Sequence, residues 1–494
     1  MFSKKEEKEK KNENSENKSS FKAKVNKFKE YCLKDTSKTI FLIIIIVGLY
    51  LLLNWGIRKI DLAQIDFTKD KLYTLSDTSK NAVKDLGHET TVYVWGYNED
   101  SSLVDLLKQY RYENKNIDYK VISKDNDPEL VEQYYLEDNY SEIIVKSDLK
   151  TKYVYEEELF TYDENYNSVD ITEQKLTNAI LDVNMEEKPV VYFLSGKSNY
   201  STESGMYYLG DSLSKELYEV KSLNLVSTGA VPEDCNILTI PSLTTDLTET
   251  EANAIIDYIN KGGNMFIMKD IRISDFKEFP NFQKVLDVYG LSMPNKYVVE
   301  TEAYTVAGAY GYIQGLVARD NEITRLIYNA NIAPLLYYPG IIETADSSKL
   351  SELKVSINKL VYSSSKAFAI DVESKEQKEG EFTMGLSAEK IVSDGVTSKI
   401  VVISSAVSFS DAKDASIGLN APMFVLDSNY NLAMNSFAYL SSRGEMYSIR
   451  KSSSSTKYMP TEAQDRYVRI AITVIPVVII GIGFIVWFNR RKRS

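Results

Sequence analysis

The chain has 494 residues and a formal net charge of −12, from 58 Lys and Arg against 70 Asp and Glu. At about 150 residues per domain, this length predicts roughly three globular units, or two with extensions. The acidic balance argues against nucleic-acid binding, because phosphate contacts need a basic face. A single His and two Cys argue against a structural zinc site and against a disulfide framework. We therefore expect no metal and no cofactor.

The N-terminal region combines a basic, polar stretch with a charge-free segment. Residues 1–39 hold 12 Lys against seven acids, and the first 20 residues have almost nothing to bury, so we expect a disordered cytoplasmic region. Residues 40–57 read IFLIIIIVGLYLLLNWGI. As a helix they would span about 27 Å, which fits a transmembrane helix. A buried core helix and a cleaved signal peptide are the alternatives, and the charged residues that follow disfavour cleavage.

The C-terminal region repeats this pattern. A polar tether is expected over residues 446–469, and residues 470–488 (IAITVIPVVIIGIGFIVWF) form a second charge-free segment. Four basic residues follow it in the tail, residues 489–494. Because Lys and Arg concentrate on the cytoplasmic side of membrane segments, we expect both termini in the cytoplasm. Residues 40–488 carry −21, and the part between the two charge-free segments would lie outside the cell membrane.

The first part of the middle region, residues 61–185, reads as an α/β unit. Ser76 and Asp77 are good N-cap residues for a helix over 77–86, and Gly87 suits the C′ position. The remaining patterns predict strands over 90–97 and 117–122, helices over 103–112, 129–136 and 172–183, and a hairpin over 141–160.

Residues 186–445 read as a second α/β unit. The strands PVVYFLSG, NILTIP and NMFIMKD are continuously apolar, which is typical of a parallel sheet buried on both faces. Helices are predicted between them, over 206–218 and, after a capping box at residues 248–251, up to residue 261. This alternation predicts a flavodoxin-like, doubly wound sheet. A later strand over 399–411 and a helix over 429–440 would complete it, with an insertion at about 300–390.

The candidate site residues lie in two loops that follow buried strands. They are Ser195, Gly196, Lys197 and Ser198 in the first loop, and Pro241 and Ser242 in the second. A serine at a strand end could be a nucleophile, but acyl transfer needs a base beside it. The only imidazole, His88, lies in the other unit. Gly196-Lys197-Ser198 resembles the end of a phosphate loop, yet Val191 stands where that loop requires Gly. We therefore predict a binding role for these residues and no catalytic residue.

The order of several segments resembles the GldG family, auxiliary subunits of ABC-type transport systems that are named from gliding motility. The similar segments run from residue 61 to residue 493. They include KLYTLSDTSKNAVKDL, TEQKLTNAILDV with KPVVYFLSG, and PEDCNILTIPSLTTDLTETEANAIIDYINKGGNMFIM with its paired glycines. After KPVVYFLSG the family often has Gly-His-Gly-Glu, whereas here Lys197-Ser198-Asn199 follows Gly196.

The resemblance implies a non-enzymatic subunit that works beside an ABC permease and a cytoplasmic ABC ATPase. Its domain outside the membrane would bind substrate or a partner, and the chain itself has no Walker motif. Two other classes remain open: an anchored scaffold or cell-wall-binding protein, and an extracytoplasmic hydrolase built on the same sheet. The sequence leaves open whether two copies of the chain pair.

Overall fold

The computed structural model describes residues 75–137, 140–162, 168–273 and 277–443, and also residues 463–464, 466–467, 469–470 and 472. All of them belong to one compact unit, Thr74–Ser494. The predicted span 40–57, Cys32 and most of the predicted span 470–488 lie outside the described residues. None of the helices formed by the described residues combines the length and the apolar composition that a membrane span requires.

The small lobe, residues 75–184, is built on a four-stranded sheet in the order β2-β1-β3-β4. β1 pairs with β2 in parallel, and the other neighbours are antiparallel. One face is covered by helices that bury Val83, Leu107 and Ile180 against Val92 and Val94 of β1. The strands and helices are β1 (Thr90–Trp95), β2 (Ile117–Val121), β3 (Glu142–Lys146), β4 (Thr151–Tyr155), β5 (Phe160–Tyr162), β6 (Ser168–Asp170), α1 (Asp77–Lys84), α2 (Ser102–Glu113), α3 (Pro128–Gln133) and α4 (Thr172–Val183).

Most predicted elements of this lobe are present, and α4 has the predicted bounds. Ser76 caps α1, since its side chain accepts a hydrogen bond from Ser79 N. The predicted end of that helix is wrong, because α1 stops at Lys84 and Gly87 does not adopt a positive φ. The Asn114 side chain instead donates to Val83 O, Lys84 O and Leu86 O. A distant amide therefore satisfies the carbonyls at the end of this helix, a role that a turn at a C′ glycine would otherwise fill.

The large lobe, residues 189–443, contains an eight-stranded sheet in the order β15-β18-β21-β22-β10-β9-β7-β8. Its last five strands, from β22 to β8, are mutually parallel. Numbered along the chain, their order is 2-1-3-4-5, that of flavodoxin-like doubly wound sheets. The strands of this sheet are β7 (Val190–Leu194), β8 (Glu219–Leu223), β9 (Cys235–Ile240), β10 (Asn264–Met268), β15 (Leu316–Val317), β18 (Val355–Tyr362), β21 (Thr383–Ser393) and β22 (Val396–Ile403).

The stretch near 300–390 contributes antiparallel strands to this sheet as well as smaller sheets beside it. β18 pairs with β21, and β21 pairs with β22. The smaller sheets pair β11 with β17, β19 with β12 and β20, and β14 with β13 and β16. Their strands are β11 (Leu291–Ser292), β12 (Lys296–Val299), β13 (Thr305–Val306), β14 (Ala309–Gln314), β16 (Leu335–Tyr337), β17 (Glu343–Thr344), β19 (Ala367–Asp371) and β20 (Gln377–Gly380).

Helices cover both faces of the large sheet, as a doubly wound fold requires. Leu209 and Phe437 pack on one face, and Ile255 and Phe282 pack on the other. The helix that ends at Asn260 carries the predicted capping box between Thr248 and Glu251. The helices are α5 (Tyr207–Lys215), α6 (Leu225–Thr228), α7 (Glu249–Asn260), α8 (Pro280–Asp287), α9 (Arg325–Asn329), α10 (Ser347–Leu353) and α11 (Asp427–Leu440).

The two lobes meet beside the amino ends of the parallel strands. Leu181 of the small lobe packs with Leu217, just before β8, and with Ala438 near the end of α11. The Asn178 side chain donates to Lys215 O at 2.6 Å. The carboxyl ends of the same strands therefore lie on the side of the sheet away from this contact.

Candidate functional site

The two predicted loops come together at the carboxyl ends of β7 and β9. Ser198 Oγ donates to Ser242 O at 2.7 Å, and Thr244 N donates to Lys197 O at 2.7 Å. β7 lies between β8 and β9, so the strand order reverses at this point. In open α/β sheets, ligands bind in the crevice outside the carboxyl ends of the strands where this reversal occurs.

The first loop turns sharply and uses its hydroxyl groups internally. Gly196 has φ +82°, a left-handed conformation that side chains disfavour. Ser195 Oγ donates to Leu223 O at 3.1 Å, and Ser198 Oγ also accepts from Tyr200 N at 3.0 Å. Both hydroxyls therefore fix the backbone of the loop.

Lys197 forms a mostly buried ion pair with Glu251 of α7. Its Nζ lies 3.1 Å from Glu251 Oε2, and the two side chains are 16% and 4% exposed. Nζ also donates to Asp246 O at 3.4 Å. Burial raises the pKa of Glu251, but hydrogen bonds from Thr248 and Lys197 outweigh it and hold that pKa below its usual value. Lys197 thus joins the loop to the start of α7 as a counter-ion.

Asp270, which the sequence analysis did not single out, connects four segments at this edge. Asp270 Oδ1 accepts from Ala406 N at 2.7 Å and from Val407 N at 3.0 Å, both just after β22. Asp270 Oδ2 accepts from the Tyr200 hydroxyl at 3.2 Å, and Asp270 N donates to Ser242 Oγ at 3.0 Å. Burial raises the pKa of this carboxyl, although these donors act against the rise. The sequence contains one indication of this role, because Asp270 is a carboxylate that closely follows a buried strand.

Two cations near Asp270 are also engaged with backbone carbonyls. Lys269 Nζ donates to Met293 O at 2.5 Å, and burial lowers the pKa of Lys269 to about 8. Arg272 Nη1 donates to Thr244 O at 3.2 Å. The edge is therefore a polar network in which the named cations already have partners.

The imidazole of His88 and the thiol of Cys235 lie apart from this edge. His88 Nδ1 pairs with Asp148 Oδ1 at 2.8 Å in the small lobe. Cys235 begins β9 at its opposite end, and burial raises the pKa of its thiol to about 11. Within the described ranges, no group of three or more His, Cys, Asp or Glu side chains could hold a metal ion.

Two open clefts lie away from the candidate loops. One, of about 740 Å³, is at the amino edge between the lobes and includes Lys150, Lys188 and Glu219 in its lining. The other, of about 380 Å³, is lined by residues that include Arg319, Lys359 and Glu381 near β18. None of the six predicted site residues lines either cleft.

Comparisons with known proteins identify two regions of the chain. A family model described as an ABC-type uncharacterized transport system matches residues 188–438, just over half of the chain. A domain of unknown function, DUF7088, matches residues 69–162. No curated protein matches.

The solved structures that resemble this chain do so distantly. The N-terminal domain titled mmIFT52 is 16% identical with a TM-score of 0.37, over 51% of this chain and 97% of that one. A putative ThuA-like protein from Parabacteroides merdae is 11% identical with a TM-score of 0.31, over 56% of this chain and 96% of its own.

The family match spans all five parallel strands of the large lobe. This chain belongs to the auxiliary family of ABC-type uncharacterized transport systems.

Proposed function

We propose that this chain is a non-enzymatic, membrane-anchored auxiliary subunit that works with a separate ABC permease and ABC ATPase. The carrying observation is the family match over residues 188–438, which contains both candidate loops. The resemblance to the GldG family over residues 61–493 supports the same assignment. In this proposal the large lobe binds a substrate or a partner protein, and ATP hydrolysis takes place in the ATPase.

Two-pass anchoring is supported by the charge pattern. The charge-free segments 40–57 and 470–488 are flanked by basic residues at both chain ends, which favours cytoplasmic termini and a lobe region outside the cell membrane. Protease added to intact, wall-stripped cells should cut between residues 61 and 460, while a tag at the N-terminus stays protected until the cells are permeabilised. Protection of the whole region 61–460 would overturn this topology.

The binding role is assigned to the carboxyl edge of the parallel strands. The loops around Ser198 and Ser242 meet where the strand order reverses, the place at which doubly wound folds bind ligands. The conformation of this edge is fixed by its internal hydrogen bonds. A preformed surface of this kind suits recognition, because little ordering is required on binding.

An extracytoplasmic hydrolase is the enzymatic alternative. It requires a base beside Ser195 or Ser242. Ser195 Oγ donates to the backbone carbonyl of Leu223, which is not a base. Ser242 contacts Asp270, whose carboxyl is the group that this alternative would have to use as the base. That alternative predicts loss of a hydrolytic activity in Ser195→Ala or Ser242→Ala. An anchored cell-wall scaffold predicts instead that the chain sediments with purified wall fragments.

Affinity purification after crosslinking tests the proposed assignment. A tag on the full chain, solubilised in mild detergent, should recover an ABC permease and an ABC ATPase. An unrelated two-span membrane protein with the same tag should not recover them. If crosslinked samples contain neither component, the transport-subunit assignment fails.

A further inference from the structure

A short helical segment before the second apolar stretch contacts the large lobe. The described residues between 463 and 472 are helical. Ala463 N donates to Glu302 O at 2.9 Å, and Arg466 Nη2 lies 2.5 Å from Glu302 Oε2. Glu302 thus accepts a hydrogen bond through its backbone oxygen and forms an ion pair through its carboxylate. These two contacts place the start of this helix against the lobe.

This contact relates the lobe to the predicted membrane segment. The apolar run begins at Ile470, four residues after Arg466, or about 6 Å further along a helix. The headgroup layer on each side of a bilayer is roughly 5–8 Å thick. If residues 470–488 span the membrane, as the proposed function holds, Glu302 lies at the outer limit of that layer. The inference rests on the proposed function in this respect.

The hairpin next to Glu302 has a composition that suits this position. Residues 303–318 contain no charged side chain, although 26% of the chain is charged. Within this run β13 and β14 form a hairpin in which Val306 pairs with Ala309. The next residue, Tyr310, is 71% exposed. Tyrosine favours the headgroup layer, where its ring meets apolar groups and its hydroxyl meets water.

The hairpin is fixed to one edge of the large sheet. Tyr312 OH donates to Asp414 Oδ2 at 2.6 Å. β16, which pairs with β14, is held by Tyr337, whose N donates to Ser408 Oγ and whose O accepts from Ser405 Oγ. Ser405 and Ser408 follow the carboxyl end of β22. The hairpin therefore lies at the same edge as the candidate loops.

We propose that the β13–β14 hairpin rests on the outer lipid headgroup layer, with Tyr310 as its membrane contact. The Arg466–Glu302 pair sets this orientation. The carboxyl edge of the parallel strands then faces the membrane, where a membrane-embedded partner could reach the candidate loops. The turn between β21 and β22 lies at the opposite, amino edge and faces away.

Fluorescence quenching in vesicles of phosphatidylcholine and phosphatidylglycerol tests this orientation on the full chain. A fluorophore would be attached at Tyr310→Cys in a Cys32→Ser background, since the other cysteine, Cys235, is buried. The matched control is Ile391→Cys, an exposed apolar site beside the β21–β22 turn. Lipids with a nitroxide on the headgroup should quench the label at position 310 and leave that at position 391 bright. Equal quenching at both sites, or none at 310, would overturn the inference.

Two further measurements separate this inference from the anchoring proposal. Flotation of the same vesicles shows whether the chain is anchored: a chain that fails to float overturns both, whereas one that floats without quenching at 310 overturns the orientation alone. Glu302→Arg should reduce quenching at 310, and the exchange Glu302→Arg with Arg466→Glu should restore it. Unchanged quenching in Glu302→Arg would contradict the orienting role of this ion pair.

Discussion

Removing the Asp270 carboxylate should destabilise the large lobe. In Asp270→Ala, Ala406 N and Val407 N lose their acceptor beside the end of β22, and the Tyr200 hydroxyl loses one partner. Each buried group left without a partner costs about 1–3 kcal/mol. Part of this cost is offset because the carboxylate no longer has to be buried. We therefore expect the free energy of unfolding to fall by about 3 kcal/mol.

The buried thiol of Cys235 provides an assay that reports on the large lobe alone. Cys235 lies in β9 and is 8% exposed, so a thiol reagent reaches it when the sheet opens. The full chain with Cys32→Ser, in detergent, would be equilibrated in urea and labelled with a short pulse. Asp257→Asn, at an exposed position on α7, is the matched control and should change stability by less than about 0.5 kcal/mol. A similarly small effect of Asp270→Ala would refute the proposed role of the network.

The pH dependence of the same site has a definite sign. Burial raises the pKa of folded Asp270 above its usual 3.8, so the folded state disfavours the charged form. The penalty is complete above the folded pKa and disappears as pH falls toward 3.8. The stability of the wild type relative to Asp270→Asn should therefore increase as pH falls through that window. A difference between the two that does not change with pH would contradict the burial argument.

Two other substitutions test the neighbouring structure by the same labelling assay. Lys197→Met should lower the free energy of unfolding by about 3 kcal/mol, because Glu251 stays buried without its counter-ion. Adding Glu251→Gln should recover part of that loss. A double variant less stable than Lys197→Met would contradict this prediction. Gly263→Ala should cost about 1–3 kcal/mol, since a Cβ would lie 2.3 Å from the Tyr258 ring. Asp257→Asn in the large lobe is again the control and should change stability by less than about 0.5 kcal/mol.

The elements that could be predicted from sequence are those specified by local signals. α4 has its predicted bounds because Leu176, Ala179, Ile180 and Val183 form one apolar face, and all four are buried. The start of α7 followed from the capping box. The parallel strands β7, β9 and β10 followed from continuous apolar runs, which are typical of a sheet covered on both faces.

The elements that were missed depend on distant contacts. β18 reads VSINKLVY, in which polar and apolar residues are mixed, and it pairs with β21 across a register that shifts twice. No local pattern specifies that pairing. The early end of α1 depends on Asn114, 30 residues after Lys84.

The candidate site shows the same division. The two loops were found because each follows a recognisable buried strand, and their contact follows from the parallel topology. The role of Asp270 was missed because its Oδ1 accepts hydrogen bonds from Ala406 N and Val407 N, which lie 136 and 137 residues away along the chain. The pairing of Lys197 with Glu251 was also missed, since a lysine in a loop after a strand reads equally well as a ligand-binding cation.

The mass of the native complex tests the central claim most directly. Membranes extracted in mild detergent without crosslinker would be separated on a native gel, and the bands that contain this 56.1 kDa chain would be identified by mass spectrometry. We expect one band that runs well above the mass of the chain and that contains an ABC permease and an ABC ATPase in constant ratio to it. Migration of the chain only by itself, while the permease and ATPase run together elsewhere, would contradict the account.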